Sequence, residues 1–245
     1  MKAAEFLATA KELPTRSLLD AITGGIVIIA PHPDDESVGC GGLICQASDY
    51  RVPLRIVFLS DGTGSHPNSA SYPPAKLRQL RHEEGIRACA RLGVRRENLL
   101  FLNLQDRFVP TQGPLADWAI SMIRAQIDEI QATSVFVTWD QDPHCDHVAA
   151  FALARKATGR CEGVQLYAYP TWAWLAARTP EIGYPPAGFR LPVMGELGRK
   201  WAAVMEHKSQ TTDLIDDDPG AFRLPPSFLD AMLQPYEVFL EAPLS

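Results

Sequence analysis

The sequence lacks the features that would place it in several large functional classes. Its five cysteines, Cys40, Cys45, Cys89, Cys145 and Cys161, are odd in number and form no C-x-x-C pair. That excludes a disulfide framework and a zinc finger and leaves reduced thiols. Basic residues are outnumbered, 23 Lys and Arg against 29 Asp and Glu, for a net charge of −6. With no basic cluster longer than a pair such as Arg95-Arg96, nothing attracts a phosphate backbone, and nucleic acid is excluded as a partner. No segment approaches the ~20 apolar residues of a membrane span. The opening MKAAEFLATAKELPTRS carries acid and has no basic stretch leading into an unbroken apolar run, so a cytoplasmic protein is expected. No internal repeat or low-complexity tract is present, and 245 residues at 46% hydrophobic content suffice for one domain with a real core.

What is there is an alternation of short β-branched apolar runs with long helical patterns. Strands are expected at 25–30, 54–59, 99–102, 135–139 and 164–169, and helices at 40–48, 74–92, 115–131 and 146–158. This order predicts an α/β fold of Rossmann-like type, with a mostly parallel sheet covered by helices on both faces. After residue 170 the rhythm breaks in PTWAWLAARTPEIGYPPAGFRLP. The region 171–245 is expected to be an irregular C-terminal cap over one end of the sheet, with a helix at 195–210 and a last strand at 236–240. The aromatic content of this segment distinguishes it from a linker.

In open α/β sheets ligands bind beyond the carboxyl ends of the strands. The segments just after the first and fourth expected strands are crowded with polar groups. The first is His32-Pro33-Asp34-Asp35-Glu36; the second is WDQDPHCDH, with Asp140, Asp142, His144, Asp146 and His147. The chain has six histidines, and three fall in these two loops. His32 and Asp35, three apart, can turn a nitrogen and an oxygen to one point, and His147 can add a second nitrogen. An N2O set suits Zn²⁺ or Fe²⁺ better than Mg²⁺ or Ca²⁺, and three protein ligands leave room for water, the mark of a catalytic site. The simpler alternative is that Asp34, Asp35 or Ser37 caps the helix that follows.

These residues resemble the LmbE-like (PIG-L) family of zinc-dependent de-N-acetylases, whose hallmarks are an H-P-D-D-E segment after the first strand and a later H-x-D-H. Here they stand as His32 to Glu36 and His144-Cys145-Asp146-His147. Gly39, Gly41 and Gly42 fit the family's tight helix entry, Arg81-His82-Glu83-Glu84 resembles its R-x-x-E-A helix, and Lys208-Ser209-Gln210 is a weaker echo. The resemblance implies that His32, Asp35 and His147 bind one Zn²⁺ and that Asp34 is the general base. It also implies that His144 stabilises the oxyanion with Asp146 orienting it, and that Arg81 and Asp106 face a polar substrate. For Arg81 the alternative is a surface ion pair with Glu84.

The implied reaction is hydrolysis of the N-acetyl group of an N-acetylglucosamine-type sugar or glycoconjugate by metal-activated water. The alternatives are an amidase for another glycosyl-amine conjugate and a non-catalytic sugar-binding module. Phosphoester hydrolysis would want two metals and more basic groups than the sequence offers. His144 is expected to work as an imidazolium supported by the Asp146 carboxylate. Trp172 and Trp174 could stack on a sugar, with packing of a strand end the favoured expectation.

Overall fold

The computed structural model describes residues 1–159, 161–177 and 179–242; Arg178 and 243–245 of the expected cap lie outside the described residues. Seven strands, β1 (Gly25–Ala30), β2 (Leu54–Ser60), β3 (Leu99–Leu104), β4 (Ala132–Thr138), β5 (Gln165–Tyr169), β6 (Gly188–Pro192) and β7 (Tyr236–Glu241), form one sheet in the order β3-β2-β1-β4-β5-β7-β6. The first five are parallel, and β7 runs antiparallel to both β5 and β6. The helices are α1 (Ala3–Ala10), α2 (Leu18–Ala21), α3 (Asp35–Asp49), α4 (Pro74–Arg91), α5 (Pro114–Glu129), α6 (Cys145–Thr158), α7 (Leu197–Val204), α8 (Lys208–Thr211) and α9 (Pro226–Met232).

Every residue of β1 is buried, as a strand covered on both faces requires. Successive side chains point to opposite faces. Val27 and Ile29 therefore enter the core that holds Ala119 and Ile123 of α5 and Leu153 of α6. Ile26 and Ile28 enter the core with Leu43 and Ile44 of α3 and Ala88 of α4. From β1 the chain moves outward through β2 to β3, then returns to the other side of β1 to lay down β4 and β5. The direction of winding reverses between β1 and β4, and the crevice at such a switch point is where ligands sit.

Three local features differ from the sequence expectation. The helix after β1 begins at Asp35, not 40, and its glycines lie inside it, not at its entry. They are packing contacts: a Cβ at Gly39 would sit 2.4 Å from the Tyr169 ring, and one at Gly42 would sit 2.2 Å from Val193. The expected helix 195–210 is two helices, α7 and α8, separated at 205–207. The third is β6, a strand within the stretch expected to be irregular. It lies at the sheet edge, where a proline such as Pro192 is tolerated because no partner needs its missing N–H.

The cap is fastened to α3 by a buried ion pair. Lys200 Nζ donates to Glu237 Oε1 at 2.8 Å, and the main-chain N–H groups of Gly42 and Leu43 donate to the same carboxylate at 2.7 and 2.9 Å. Lys200 is fully buried. Glu237→Ala removes the counter-charge of a buried ammonium and is expected to cost about 3–5 kcal/mol of stability in urea unfolding. A loss below about 1 kcal/mol would show that water reaches Lys200 and that the pair does not clamp the cap.

Candidate active site

The loop after β1 and the first turn of α6 meet at the switch point. Asp35 stands between two imidazoles, its Oδ2 3.1 Å from His32 Nδ1 and its Oδ1 3.4 Å from His147 Nε2. The opposite edge of each ring is held. His32 Nε2 lies 3.2 Å from both Asp106 Oδ1 and Asp146 Oδ2. His147 Nδ1 lies 2.9 Å from Asp142 Oδ2. Asp142 is itself fixed by Thr171 Oγ1 at 2.7 Å and the Ala173 N–H at 2.7 Å. A carboxylate on the outer nitrogen sets the tautomer and turns the inner nitrogen toward the centre, the usual arrangement behind a metal-binding histidine.

The three residues named from the sequence as ligands are thus brought together, His32 Nδ1 and His147 Nε2 each against one oxygen of Asp35. The donor set fits a divalent cation on charge as well. Asp34, Asp35, Asp106, Asp142 and Asp146 are all buried here, facing one buried guanidinium, Arg81. Burial alone would lower the basicity of His32, yet Asp106, Asp146 and Asp35 reverse this and hold the ring well above the usual imidazole range. That is the signature of a site with excess negative charge, which a cation would balance.

Asp34 is set apart from this group. It precedes α3 with φ +148° and ψ −30°, a left-handed backbone that non-glycine residues rarely adopt, and its side chain makes no helix cap. The capping alternative therefore fails for it. Arg81 Nη2 donates to Asp34 Oδ2 at 3.0 Å and to the Pro33 carbonyl at 2.7 Å. The Asp34 N–H donates to Glu36 Oε2 at 3.0 Å. Burial raises the Asp34 carboxyl, Arg81 opposes it and Asp35 adds to it, leaving it at about 6, where a general base is effective near neutral pH. Arg81 is not paired with Glu84, which binds the Ser209 N–H and hydroxyl at 2.8 and 2.6 Å.

His144 and Asp146 depart from expectation. The Asp146 carboxylate does not reach the His144 ring. It accepts from the Arg107 N–H at 2.6 Å and the Val109 N–H at 3.2 Å, and it supports His32. Its link to His144 is through the main chain: the Asp146 N–H donates to His144 Nδ1 at 3.2 Å, so His144 caps α6. The ring is pushed down to about 4, by burial first and then by His32 and His147, against the weaker pull of Asp146. An imidazolium is thus disfavoured. With Nδ1 accepting, the neutral ring carries its hydrogen on Nε2 and remains a donor. A ring nitrogen of His144 lies within 4.8 Å of ring nitrogens of both His32 and His147.

These groups line a cleft of about 410 Å³, with Arg81 and Asp106 in its wall. Of the 171–192 stretch, Trp172 reaches it, and the remaining cap contributions come from Gln210 and from Gly220 to Phe228. Trp172 stacks on Phe228 at 3.9 Å between ring centres. Trp174 packs away from the cleft, its Nε1 donating to the Pro170 carbonyl at 2.9 Å. Among the residues that carried no assigned role in the sequence, Asp142 braces His147 from behind and Gln210 lies in the cleft wall. Asp142 stood in the crowded WDQD segment, but its partner Thr171 is 29 residues away. Gln210 stood in the weaker echo.

The sequence profile described as PIG-L: GlcNAc-PI de-N-acetylase matches residues 27–158, more than half of the chain and both polar segments. The chain belongs to the PIG-L family. Among its relatives, the uncharacterized deacetylase YaiS of Escherichia coli is 25% identical over 187 residues, covering 76% of this chain and 91% of that protein. A probable N-acetyl-alpha-D-glucosaminyl L-malate deacetylase of Bacillus cereus is 22% identical over 200 residues, covering 78% and 86%. In fold, this PIG-L chain is similar to the N,N'-diacetylchitobiose deacetylase of Pyrococcus horikoshii, with a TM-score of 0.66 at 21% identity over 97% of this chain and 90% of that one. It is also similar to GalB, the 4-carboxy-2-hydroxymuconate hydratase of Pseudomonas putida, with a TM-score of 0.61 at 21% identity over 77% and 80%. Likeness at this identity establishes the fold, while the family match places the chain among the hydrolytic de-N-acetylases. No helix among the described residues is long and apolar enough to cross a membrane.

Proposed function

We propose that the protein, acting as one domain, is a zinc-dependent deacetylase that removes the N-acetyl group from an N-acetylglucosamine-type sugar or glycoconjugate. The observation that carries this reading is the separation of roles between adjacent aspartates. Asp35 joins the imidazoles, while Asp34, clamped by Arg81, stands beside them with its carboxyl near neutrality. His32, Asp35 and His147 would hold the metal, an N2O set that favours Zn²⁺ with Fe²⁺ as the second choice. When bound, the ion supplies Lewis acidity toward the amide carbonyl and lowers the pKa of water.

The chain's own groups do the rest. Asp34 accepts a proton from the attacking water and returns it to the leaving nitrogen, so that acetate and a free amine form. His144 Nε2–H, on a neutral ring, donates to the carbonyl oxygen as it gains charge. Arg81 keeps the Asp34 carboxylate aimed, and its buried Nε–H, which has no acceptor among the described residues, is proposed to meet the polar edge of the substrate together with Asp106. The small-molecule substrate fits the cleft volume, and the five free cysteines suit a cytoplasmic setting.

The test is acetate release by the zinc-loaded protein across a panel of N-acetylated sugars, among them free N-acetylglucosamine, a nucleotide-linked form and a glycoside. Release from at least one of them is expected. No release from any, by protein with full metal content, would overturn the reading.

A further inference from the structure

Helix α8 reaches the cleft through one residue. Gln210 is fully buried and forms part of the cleft wall. Its main chain is fixed on both sides: the Gln210 N–H donates to the His207 carbonyl at 2.8 Å, and the Leu224 N–H donates to the Gln210 carbonyl at 2.8 Å. The side-chain amide faces two hydroxyls, with Nε2 3.0 Å from Ser209 Oγ and 3.3 Å from Ser65 Oγ.

Counting hydrogens settles which end of that amide faces which way. The Ser209 hydroxyl gives its only hydrogen to Glu84 Oε2 at 2.6 Å, a carboxylate that also takes the Ser209 N–H. A charged acceptor at that distance outcompetes any neutral one. Ser209 Oγ can therefore only accept from Gln210, and the group turned toward it must be the NH2. The Ser65 hydroxyl agrees, because its one hydrogen has acceptors of its own in the Gly62 carbonyl at 3.2 Å and, in one tautomer, His66 Nδ1 at 3.0 Å. The Gln210 carbonyl oxygen, Oε1, is then left on the other side, buried and without a partner among the described residues. Buried acceptors are nearly always satisfied, and one left without a partner on a residue that lines a binding cleft calls for a donor.

We propose that Gln210 Oε1 is a substrate-recognition acceptor, taking a hydrogen bond from a donor on the bound sugar, either a ring hydroxyl or the amide N–H. This rests on the deacetylase reading above, which supplies the substrate class. The cleft offers carboxylates at its floor, and Gln210 adds a neutral acceptor on the cap side. It would hold the substrate from the cap side without adding to the negative charge.

Acetate release distinguishes the role when wild type, Gln210→Leu and Gln210→Glu, all zinc-loaded, are compared on three kinds of substrate. These are the most active N-acetyl sugar, its analogues with each hydroxyl replaced in turn by hydrogen, and the N-methyl amide. Gln210→Leu is expected to lower kcat/KM about 10- to 100-fold on the full substrate. On the one analogue that lacks the donor it should have no further effect, because a contact already missing cannot be lost twice. Gln210→Glu keeps an oxygen at the cleft but turns an acceptor onto Ser209 Oγ, which can only accept, so it serves as the structural control. Its loss should persist on the analogue that lacks the donor, where the loss from Gln210→Leu vanishes, whereas a purely structural glutamine would make both variants lose the same factor on every substrate. A loss from Gln210→Leu that is uniform across all analogues overturns the inference while leaving the deacetylase reading intact. A wild type inactive on the whole panel overturns both.

Discussion

Asp34→Asn is expected to keep its zinc and lose ~10² to 10⁴ in kcat. Asn matches Asp in shape, and its amide oxygen can still accept from Arg81, so the strained backbone at φ +148° and the Arg81 contacts to Pro33 and Gly62 should survive. What is lost is the basic oxygen that takes the proton from water. Because Asp34 makes no hydrogen bond or ion pair with the His32 or His147 rings among the described residues, metal content should not change. KM should move little, since the deficit lies in the transition state. Zinc analysis and steady-state kinetics on the same preparation check both halves. An Asp34→Asn protein isolated without metal would mean that Asp34 and Asp35 exchange or share their roles. Near-normal kcat would remove Asp34 from the chemistry.

The second large effect belongs to the central groups. Asp35→Ala and His147→Ala each delete one of three converging donors, and each is expected to bring zinc content from about one per chain to near zero and to abolish turnover. Asp35→Ala should be the more damaging in the metal-free protein too. Its carboxylate holds the His32 N–H at 2.9 Å as well as both rings, so the loop after β1 loses its brace. Full zinc content in both variants would show that the ion sits elsewhere in the cluster, with His144 among its ligands.

Much of this site was legible because its residues are local in sequence. His32, Asp34 and Asp35 fall within four positions directly after a strand whose bounds, 25–30, match β1. His147 follows the fourth strand, and the two strands are neighbours because the winding reverses there. What was not legible depends on contacts between distant segments. The Asp146 carboxylate had an adjacent histidine to serve, yet it turns to His32, 114 positions away, and takes two main-chain donors from the loop after β3. Spacing alone favours the neighbour; only the fold brings the loop close enough to compete. The charge state of His144 failed for the same reason. Its desolvation and the two facing rings outweigh the one nearby carboxylate.

The start of α3 was missed because three glycines in four positions argue against a helix on propensity. There they are selected by the Tyr169 ring, Lys200 and Val193, which occupy the space a side chain would need. β6 was missed because glycine and proline bracket it, and an edge position excuses both. The role of Arg81 divided two ways in sequence, and neither alternative named its partner Asp34, 47 residues away.

The central claim is that one zinc ion on His32, Asp35 and His147 makes this chain a deacetylase. Its most direct test is to strip the protein with a chelator, add zinc back in steps, and follow acetate release from the best N-acetyl sugar of the panel. The account predicts no release from the stripped protein and a rise that levels off at about one zinc per chain, with no such recovery in His147→Ala. Acetate release that persists after the metal is removed, or that returns equally in His147→Ala, would contradict it.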